Sequence, residues 1–188
     1  PLSAESAAKL LGCDGGEHIV AVKVTETDYE ASTARFLAHP ALSRLKIVQG
    51  WDPHLSRALR NGPRFDAEGR QRAGITSGLM SLAVYQYLHV LDAAARKDWD
   101  EVAAAQDSTD AIFRSMQDDP RHFADLQRAK FMMGLGHPLA GQVRDEQVER
   151  VFEALEHLPR SADRQRIACS LDLMGDGPFH DRLRCLQG

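Results

Sequence analysis

The stretch Ile19–Val24, which reads IVAVKV, decides the fold of the first part of the chain. A short continuous run of β-branched residues is typical of a strand that is buried on both faces, as strands of parallel sheets are. Two weaker apolar segments follow, Leu45–Gly50 (LKIVQG) and Ala73–Gly78 (AGITSG), and each ends in glycine. We therefore predict three strands before the chain becomes helical.

Helices are predicted between these strands. The segment Asp28–Ala38 has apolar residues at helical spacing, and Thr27 and Glu30 are spaced as a capping box. A shorter helix is predicted at His54–Asn61, where the turn Asn61-Gly62-Pro63 would end it. Strands that alternate with helices in this way are parallel and are joined by right-handed crossovers.

The spacing of the segments indicates a weak internal repeat. The interval from Lys23 to Gly50 equals the interval from Gly50 to Ser77, and each is the length of one βα unit. Three such units in a row are typical of a barrel or of an open parallel sheet.

From Ser81 to the end the pattern is helical. We divide the chain into residues 1–95, which hold the three βα units, and residues 96–188, a C-terminal helical region. The predicted helices are Leu82–Ala95, Asp98–Met116 with Asp98 as cap, Arg121–Gly134, Asp145–Leu158 and Ser161–Met174.

Composition excludes several classes of protein. The formal net charge is -4 and no basic stripe is present, which argues against a nucleic-acid binder. No apolar run approaches the ~20 residues that a membrane-spanning helix needs. The three cysteines, Cys13, Cys169 and Cys185, form no C-x-x-C pair, which fits a reducing cytoplasm better than a disulfide framework.

No metal or nucleotide site is predicted. The eight histidines are scattered, and no set of histidines and acids has the spacing of metal ligands. The glycine-containing segment Gly134–Pro138 follows a predicted helix and contains a proline, so it does not have the context of a dinucleotide-binding loop.

Lys23 is the residue most suited to chemistry. Strand alternation places it on the face opposite to Val22 and Val24, near the carboxyl end of the strand. Burying a lysine there is costly unless it is paired or works unprotonated, and a desolvated neutral amine can attack a ketone to form a Schiff base. The alternative is a lysine that extends into solvent or pairs with Glu26 or Asp28.

Four segments follow one another along the chain: Val20-Ala21-Val22-Lys23 with Asp28, then Gln49-Gly50-Trp51-Asp52, then Gly74-Ile75-Thr76-Ser77, and Ala129–Leu135. Together they resemble the dihydrodipicolinate synthase / N-acetylneuraminate lyase family of pyruvate-handling class I aldolases and dehydratases. The first resembles the family's Schiff-base strand, the second its Ser-Gly-Asp strand end, the third its Gly-hydrophobic-Ile-Ser strand, and the fourth its Val-Lys helix.

The resemblance implies a fold and a function. The fold would be the C-terminal part of a (β/α)8 TIM barrel, strands six to eight, followed by a helical region. The activity would be that of a Schiff-base lyase acting on pyruvate or a 2-oxo sugar acid, with Lys23 as the nucleophile and no cofactor. Gly50, Trp51, Thr76 and Ser77 would line the substrate pocket. The family's assemblies imply a homodimer or homotetramer.

The sequence also departs from the family. Trp51 is bulkier than the usual small or acidic residue, the stretch 61–72 is longer and more polar, and a tail follows Pro159. Strands one to five, with the proton-relay tyrosine and the carboxylate-binding threonine pair, would belong to an N-terminal half that lies outside this chain. The chain alone is therefore expected to be inactive.

Two other interpretations stay open. One is a catalytically inactive fragment or pseudoenzyme with a role in assembly, because a half-barrel exposes strand edges and an apolar face. The other is a binding domain with an open parallel sheet, which the lack of a glycine-rich loop after the first strand disfavours.

Overall fold

The computed structural model describes residues 2–61, 69, 71–117, 124–136 and 143–188. The turn predicted at Gly62-Pro63, the start of the helix predicted from Arg121, and residues 137–138 of the segment Gly134–Pro138 lie outside them. The chain folds as two compact units, Pro1–Ser77 and Gly78–Gly188. The predicted boundary lies after residue 95, whereas residues 78–95 belong to the second compact unit.

The first unit alternates helices and strands. Helix α1 covers Ala4–Leu11 and was not predicted; its N-cap Ser3 accepts a hydrogen bond from Ser6 N. The other elements follow in the predicted order, but α2 begins at Thr33 instead of Asp28, so the predicted capping box of Thr27 and Glu30 is wrong. Short 3-10 turns precede β1, β2 and α3. The remaining elements are β1 (Ala21–Val24), α2 (Thr33–Ala38), β2 (Lys46–Gln49), α3 (Leu55–Asn61) and β3 (Ala73–Ile75).

The three strands form one parallel sheet in the order β1-β2-β3. Lys23 is in register with Val48, and Val48 is in register with Gly74. The prediction of parallel strands joined through helices is confirmed for this unit, and the chain as a whole is a mixed α/β protein that is mostly helical.

One face of the sheet is buried. Val24, Ile47 and Ala73 are buried, and Gln49 lies on the same face of β2 as Ile47. Thr33 Oγ1 of α2 donates a 3.1 Å hydrogen bond to Gln49 Oε1, so α2 covers this face of the sheet. The apolar residues of the strands thus form the core of the unit together with the helices.

The opposite face is open within this unit. Lys23 is exposed, and Val48 and Gly74 beside it are half-buried. Strand β1 lies at the edge of the sheet, and Val20 just before it is 69% exposed. The prediction that the first strand is buried on both faces is therefore wrong, because Ala21 and Lys23 lie on a face that no described element of this unit covers.

The fully buried side chain of Arg72 joins the segment before β3 to the connection between α2 and β2. Arg72 precedes β3 and is 1% exposed. Its guanidinium donates hydrogen bonds to the carbonyl oxygens of Leu45, Leu37 and Leu42 at 3.1, 3.2 and 3.0 Å. A guanidinium has five donors in a fixed fork, so a single side chain can satisfy several carbonyls of an irregular segment.

The second unit consists of helices. A break at Ala83 divides the first predicted helix, and helix α10 at the end of the chain was not predicted. None of the described helices is both long and apolar enough to cross a membrane. The helices are α4 (Gly78–Leu82), α5 (Val84–Ala95), α6 (Trp99–Ser115), α7 (Ala124–Met132), α8 (Asp145–Glu156), α9 (Ser161–Leu171) and α10 (His180–Gln187).

Asp98 caps α6 as predicted, since its side chain accepts a hydrogen bond from Glu101 N at 3.2 Å. Residue Phe179, which precedes α10, contacts Phe131 and Phe152 edge to face, with ring centroids 5.6 and 5.4 Å apart. These aromatic contacts hold α10 against the end of α7 and against α8.

A buried polar network joins α5, α6 and α9. Asp163 is fully buried and accepts hydrogen bonds from Ser108 Oγ and from Arg166, both at 2.6 Å. Arg166 also donates to Gln86 Oε1 of α5 at 3.2 Å. Because each buried polar group has a partner, the network can hold the three helices in one arrangement without an uncompensated charge.

Glu101 of α6 forms a second polar contact between these helices. It accepts a 2.5 Å hydrogen bond from Arg160 and a further one from His89. The bond from Arg160, followed by the bond from His89, holds the pKa of the Glu101 carboxyl below its usual value. The stabilisation by the ionised carboxylate is therefore fully present above the pKa of the unfolded state and is lost as the pH falls through the lowered pKa of the folded state.

We expect Glu101→Gln to lower the free energy of unfolding at pH 7 by about 1 kcal/mol, or roughly 2–4 °C in Tm, because it removes charge-assisted hydrogen bonds. The loss of Tm between pH 5 and 3 should also be smaller in the variant. Thermal unfolding followed by circular dichroism across this range measures both effects. Glu153→Gln, a change at an exposed position of α8, is the control and should leave both values as in the parent chain.

Candidate active site at the carboxyl ends of the strands

The three strands end at the same edge of the sheet because they are parallel. Two backbone hydrogen bonds extend the ladders past the strand ends: Gly50 N donates to Val24 O, and Thr76 N donates to Gln49 O, each at 2.8 Å. Residues that follow the strands therefore lie side by side at this edge. The carboxyl ends of parallel strands are where α/β proteins commonly place ligand sites.

Lys23 and Gly50 are brought together at this edge. A Cβ atom placed on Gly50 would lie 2.5 Å from Lys23 Cε and closer still to Thr25 Oγ1. Real Cβ atoms do not approach other atoms so closely, so these two side chains occupy the space that a larger residue at position 50 would need. Gly50 is predicted to line the substrate pocket; in the structure, side chains of β1 and its extension lie against it.

Lys23 is exposed, which differs from the expectation of a desolvated lysine. The cause is the position of β1 at the edge and the open face of the sheet within this unit. Neither Glu26 nor Asp28 forms an ion pair with Lys23 among the described residues, and Asp28 Oδ1 accepts a 3.0 Å hydrogen bond from Ala31 N instead. The Lys23 amine thus extends into solvent, and its role as a nucleophile stays a prediction.

The other predicted pocket residues follow β2 and β3. Trp51 is half-buried, and Thr76 is exposed next to the end of β3. Ser77 Oγ donates a 2.5 Å hydrogen bond to Asp52 Oδ1, and Asp52 is buried. The hydroxyl proton of Ser77 is therefore committed to Asp52, whereas the Thr76 hydroxyl beside it is exposed.

A cluster that the sequence analysis did not assign lies in the loops after β1 and β2. The rings of Tyr29 and His54 meet edge to face with centroids 5.2 Å apart, and the Arg57 guanidinium lies 4.1 Å from the centre of the Tyr29 ring. Arg57 also pairs with Glu30. The only signal for the cluster in the sequence is that both rings follow predicted strands closely.

Burial sets the protonation of this cluster. It raises the pKa of the Tyr29 hydroxyl and, together with the nearby Arg57 charge, lowers the pKa of His54. The lowered pKa favours the neutral imidazole of His54. Among the described residues, neither the Tyr29 hydroxyl nor His54 Nδ1 has a hydrogen-bond partner.

A cleft of about 230 Å³ opens along β1 and contains part of the candidate site. Its polar members are Ser3, Lys23, Thr25, Glu26 and Ser32. The residues that line it are Leu2, Ser3, Val22, Lys23, Val24, Thr25, Glu26, Ala31, Ser32 and Phe36. The cleft is bounded by the edge strand, so its shape depends on what lies beside β1.

In the part of the chain that the structure describes, no three histidine, cysteine or acidic side chains are grouped to hold a metal ion. The cysteines Cys13, Cys169 and Cys185 are all free thiols.

No protein-family model matches this chain, and no curated protein matches it at a significant level. The family resemblance of the four segments stays a prediction from their residues.

We expect Gly50→Ala to reduce the free energy of unfolding by about 1–3 kcal/mol, since the new methyl group would overlap Lys23 and Thr25 and force both to move. Gly74→Ala is the matched control, because nothing lies within 4 Å of the methyl group it would add on the neighbouring strand. That variant should be neutral or slightly stabilising, as alanine costs less backbone entropy in a strand than glycine. Equal urea midpoints for the two variants would contradict the close contact at Gly50.

Proposed function

We propose that this chain is the lysine-bearing part of a Schiff-base lyase of the dihydrodipicolinate synthase family that acts on pyruvate or a 2-oxo sugar acid. The observation that carries the proposal is the position of Lys23 over Gly50 at the carboxyl edge of a parallel sheet. The amine has no ion-pair partner among the described residues, and it is accessible on the open face. The four segments that resemble the family lead to the same assignment.

The chemistry needs only the amine and three proton transfers. The lone pair of the neutral Lys23 Nζ forms a bond to C2 of the 2-oxo acid, the C=O π electrons move to oxygen, and that oxygen takes a proton. The nitrogen then loses a proton, and the hydroxyl group takes a proton and leaves as water while the C=N bond forms. The resulting protonated imine accepts the electron pair of a neighbouring C–C or C–H bond, which permits cleavage, addition or loss of a β-hydroxyl.

The other residues of the edge have supporting roles in this proposal. Gly50 leaves room for Lys23, and the exposed Thr76 hydroxyl can donate to the substrate carboxylate. Asp52 holds Ser77 in place beside it, so Ser77 shapes the pocket. Trp51 supplies a large apolar wall that limits the size of the substrate.

Further barrel strands are part of the proposal. An amine attacks as the free base, and desolvation is what makes that form available near neutral pH. In this unit Lys23 is exposed, so the proposed enzyme needs an N-terminal barrel half that pairs with the free edge of β1 and covers the open face. That half would also supply the relay tyrosine and the threonine pair, and the assembly would be a cytoplasmic homodimer or homotetramer.

The second candidate function is a non-catalytic role in assembly. Exposed apolar side chains favour it, since Val20 is 69% exposed beside the edge strand, and Leu173 and Met174 of the second unit are 51% and 54% exposed. The two candidates differ in one observable property, which is whether Lys23 forms an imine.

We expect the protein from its natural source, incubated with pyruvate and then reduced with borohydride, to carry one covalent adduct that peptide mass mapping places on Lys23. Lys23→Arg should remove this adduct because a guanidinium does not form the imine. Lys46→Arg is the matched control: Lys46 belongs to β2, its Nζ donates to Gln71 O, and its loss should leave trapping unchanged. No adduct with any 2-oxo acid, or an undiminished adduct in Lys23→Arg, would favour the assembly role.

A further inference from the structure

Helix α10, at the end of the second unit, is held mostly by polar contacts. Among its eight residues, all of which the structure describes, Leu183 alone is buried. Helix α8, by comparison, buries five residues. A helix as short as α10 is not stable by itself in water, so it depends on the surface against which it docks. Elements with so few buried apolar contacts open at the lowest free energy in a protein.

The Asp172 carboxylate, at the carboxyl end of α9, contacts both ends of α10. His180 Nδ1, in the first residue of α10, donates to Asp172 Oδ1 at 2.6 Å, and Gln187 Nε2, in the last, donates to Asp172 Oδ2 at 2.9 Å. The Asp172 side chain is only 9% exposed. The helix dipole opposes a carboxylate at the carboxyl end of a helix, and burial adds a desolvation cost. The two hydrogen bonds from α10 offset these costs.

The ion pairs that α10 makes with α8 lie at the surface. Arg182 pairs with Glu149 and Glu156, whose side chains are 52% and 42% exposed. Exposed ion pairs contribute little to stability because water and salt screen them. The Arg182 guanidinium also lies 3.7 Å from the centre of the Phe152 ring. The hydrogen bonds to Asp172 are thus better shielded from water than the ion pairs with α8.

The chain just before α10 is anchored. A Cβ placed on Gly177 would lie 3.1 Å from Met132 O and 3.4 Å from Gly134 N, so this segment packs closely against the end of α7. The ring of Phe179 meets aromatic rings of α7 and α8 edge to face. A movement of α10 that leaves these contacts intact therefore begins after Phe179.

Cys169 lies on the side of α9 that α10 covers. Gln165, Cys169 and Asp172 are spaced four and three residues apart, so they share one face of the helix. Both outer members of this set contact α10, since Gln165 Nε2 donates to Gln187 O at 2.7 Å. The Cys169 thiol between them is half-buried. Access to this thiol therefore depends on whether α10 is docked.

We propose that α10 opens as a unit after Phe179 while the other helices of the second unit stay folded, and that the Asp172 carboxylate holds it closed over Cys169. Opening replaces the two hydrogen bonds of the carboxylate by bonds to water and exposes Leu183. The helix thereby controls access to the Cys169 thiol. This movement is independent of the chemistry proposed for Lys23.

Hydrogen exchange of the full chain, followed by mass spectrometry, tests the movement. We expect the amides of residues 183–187 to be protected about tenfold less than those of residues 151–155 in α8. Their exchange should also depend less on urea, because local opening exposes less surface than unfolding of the whole unit. Equal protection and equal urea dependence of the two helices would show that α10 opens only when the unit unfolds, which would overturn the proposal.

The variant Asp172→Ala tests the role of the carboxylate. We expect exchange in α10 and alkylation of Cys169 by iodoacetamide to become about tenfold faster, as the loss of a charge-assisted hydrogen bond implies, with α8 unchanged. Asp176→Ala, an exposed position in the connection to α10, is the matched control and should change neither rate. If the carboxylate did not hold α10, Asp172→Ala would only remove an unfavourable interaction with the dipole of α9. Unchanged or slower rates would therefore overturn the proposal.

A second variant, His180→Ala, removes one partner of the carboxylate and leaves Asp172 in place. It should also speed both processes, and the double variant should be no faster than Asp172→Ala, because the two substitutions break the same contact. Effects that multiply would mean that the two residues act independently, and would overturn the role of the carboxylate. Peptide mapping distinguishes Cys169 from the exposed Cys13 and Cys185, and circular dichroism verifies that each variant is folded.

Discussion

Parallel pairing of β2 with strands on both sides is the constraint on which the first unit depends. It brings the ends of all three strands to one edge, and it sets the register that places Lys23 next to Val48 and Gly50. A slip of one residue would send Lys23 to the face that α2 covers, where a charged side chain is costly. Burial of one face therefore maintains the register, and the register determines which residues lie beside Lys23 on the open face.

The positions of the strands could be predicted from local patterns, but the environment of each strand could not. β-branched and apolar runs located β1, β2 and β3, and alternation with helices gave their parallel direction. The same apolar run at 19–24 also led to the wrong expectation of burial on both faces, since the pattern of one strand does not tell which other elements cover its faces. Helix α1 was not predicted, because no pattern in its short alanine-rich segment indicated a helix.

The residues of the candidate site could be predicted from the sequence, whereas the contacts between them could not. Lys23, Gly50 and Thr76 follow from the strand ends, whereas the close approach of Lys23 and Thr25 to Gly50 depends on a register that only the folded sheet supplies. The commitment of Ser77 to Asp52 is likewise a tertiary contact between two strand ends. In the helical unit the same holds for Asp163, whose partners come from residues far apart in the chain.

The buried Arg72 has a consequence for how the first unit assembles in time. Its three carbonyl partners precede it by 27, 30 and 35 residues, so the guanidinium reaches them only when this later segment arrives. Local backbone donors, such as the Leu45 N–H that reaches Leu42 O at 2.9 Å, do not depend on it. During synthesis on a ribosome, β1, α2 and β2 therefore emerge before the side chain that joins their connection to β3, and the core of the unit is complete only after Arg72 has followed.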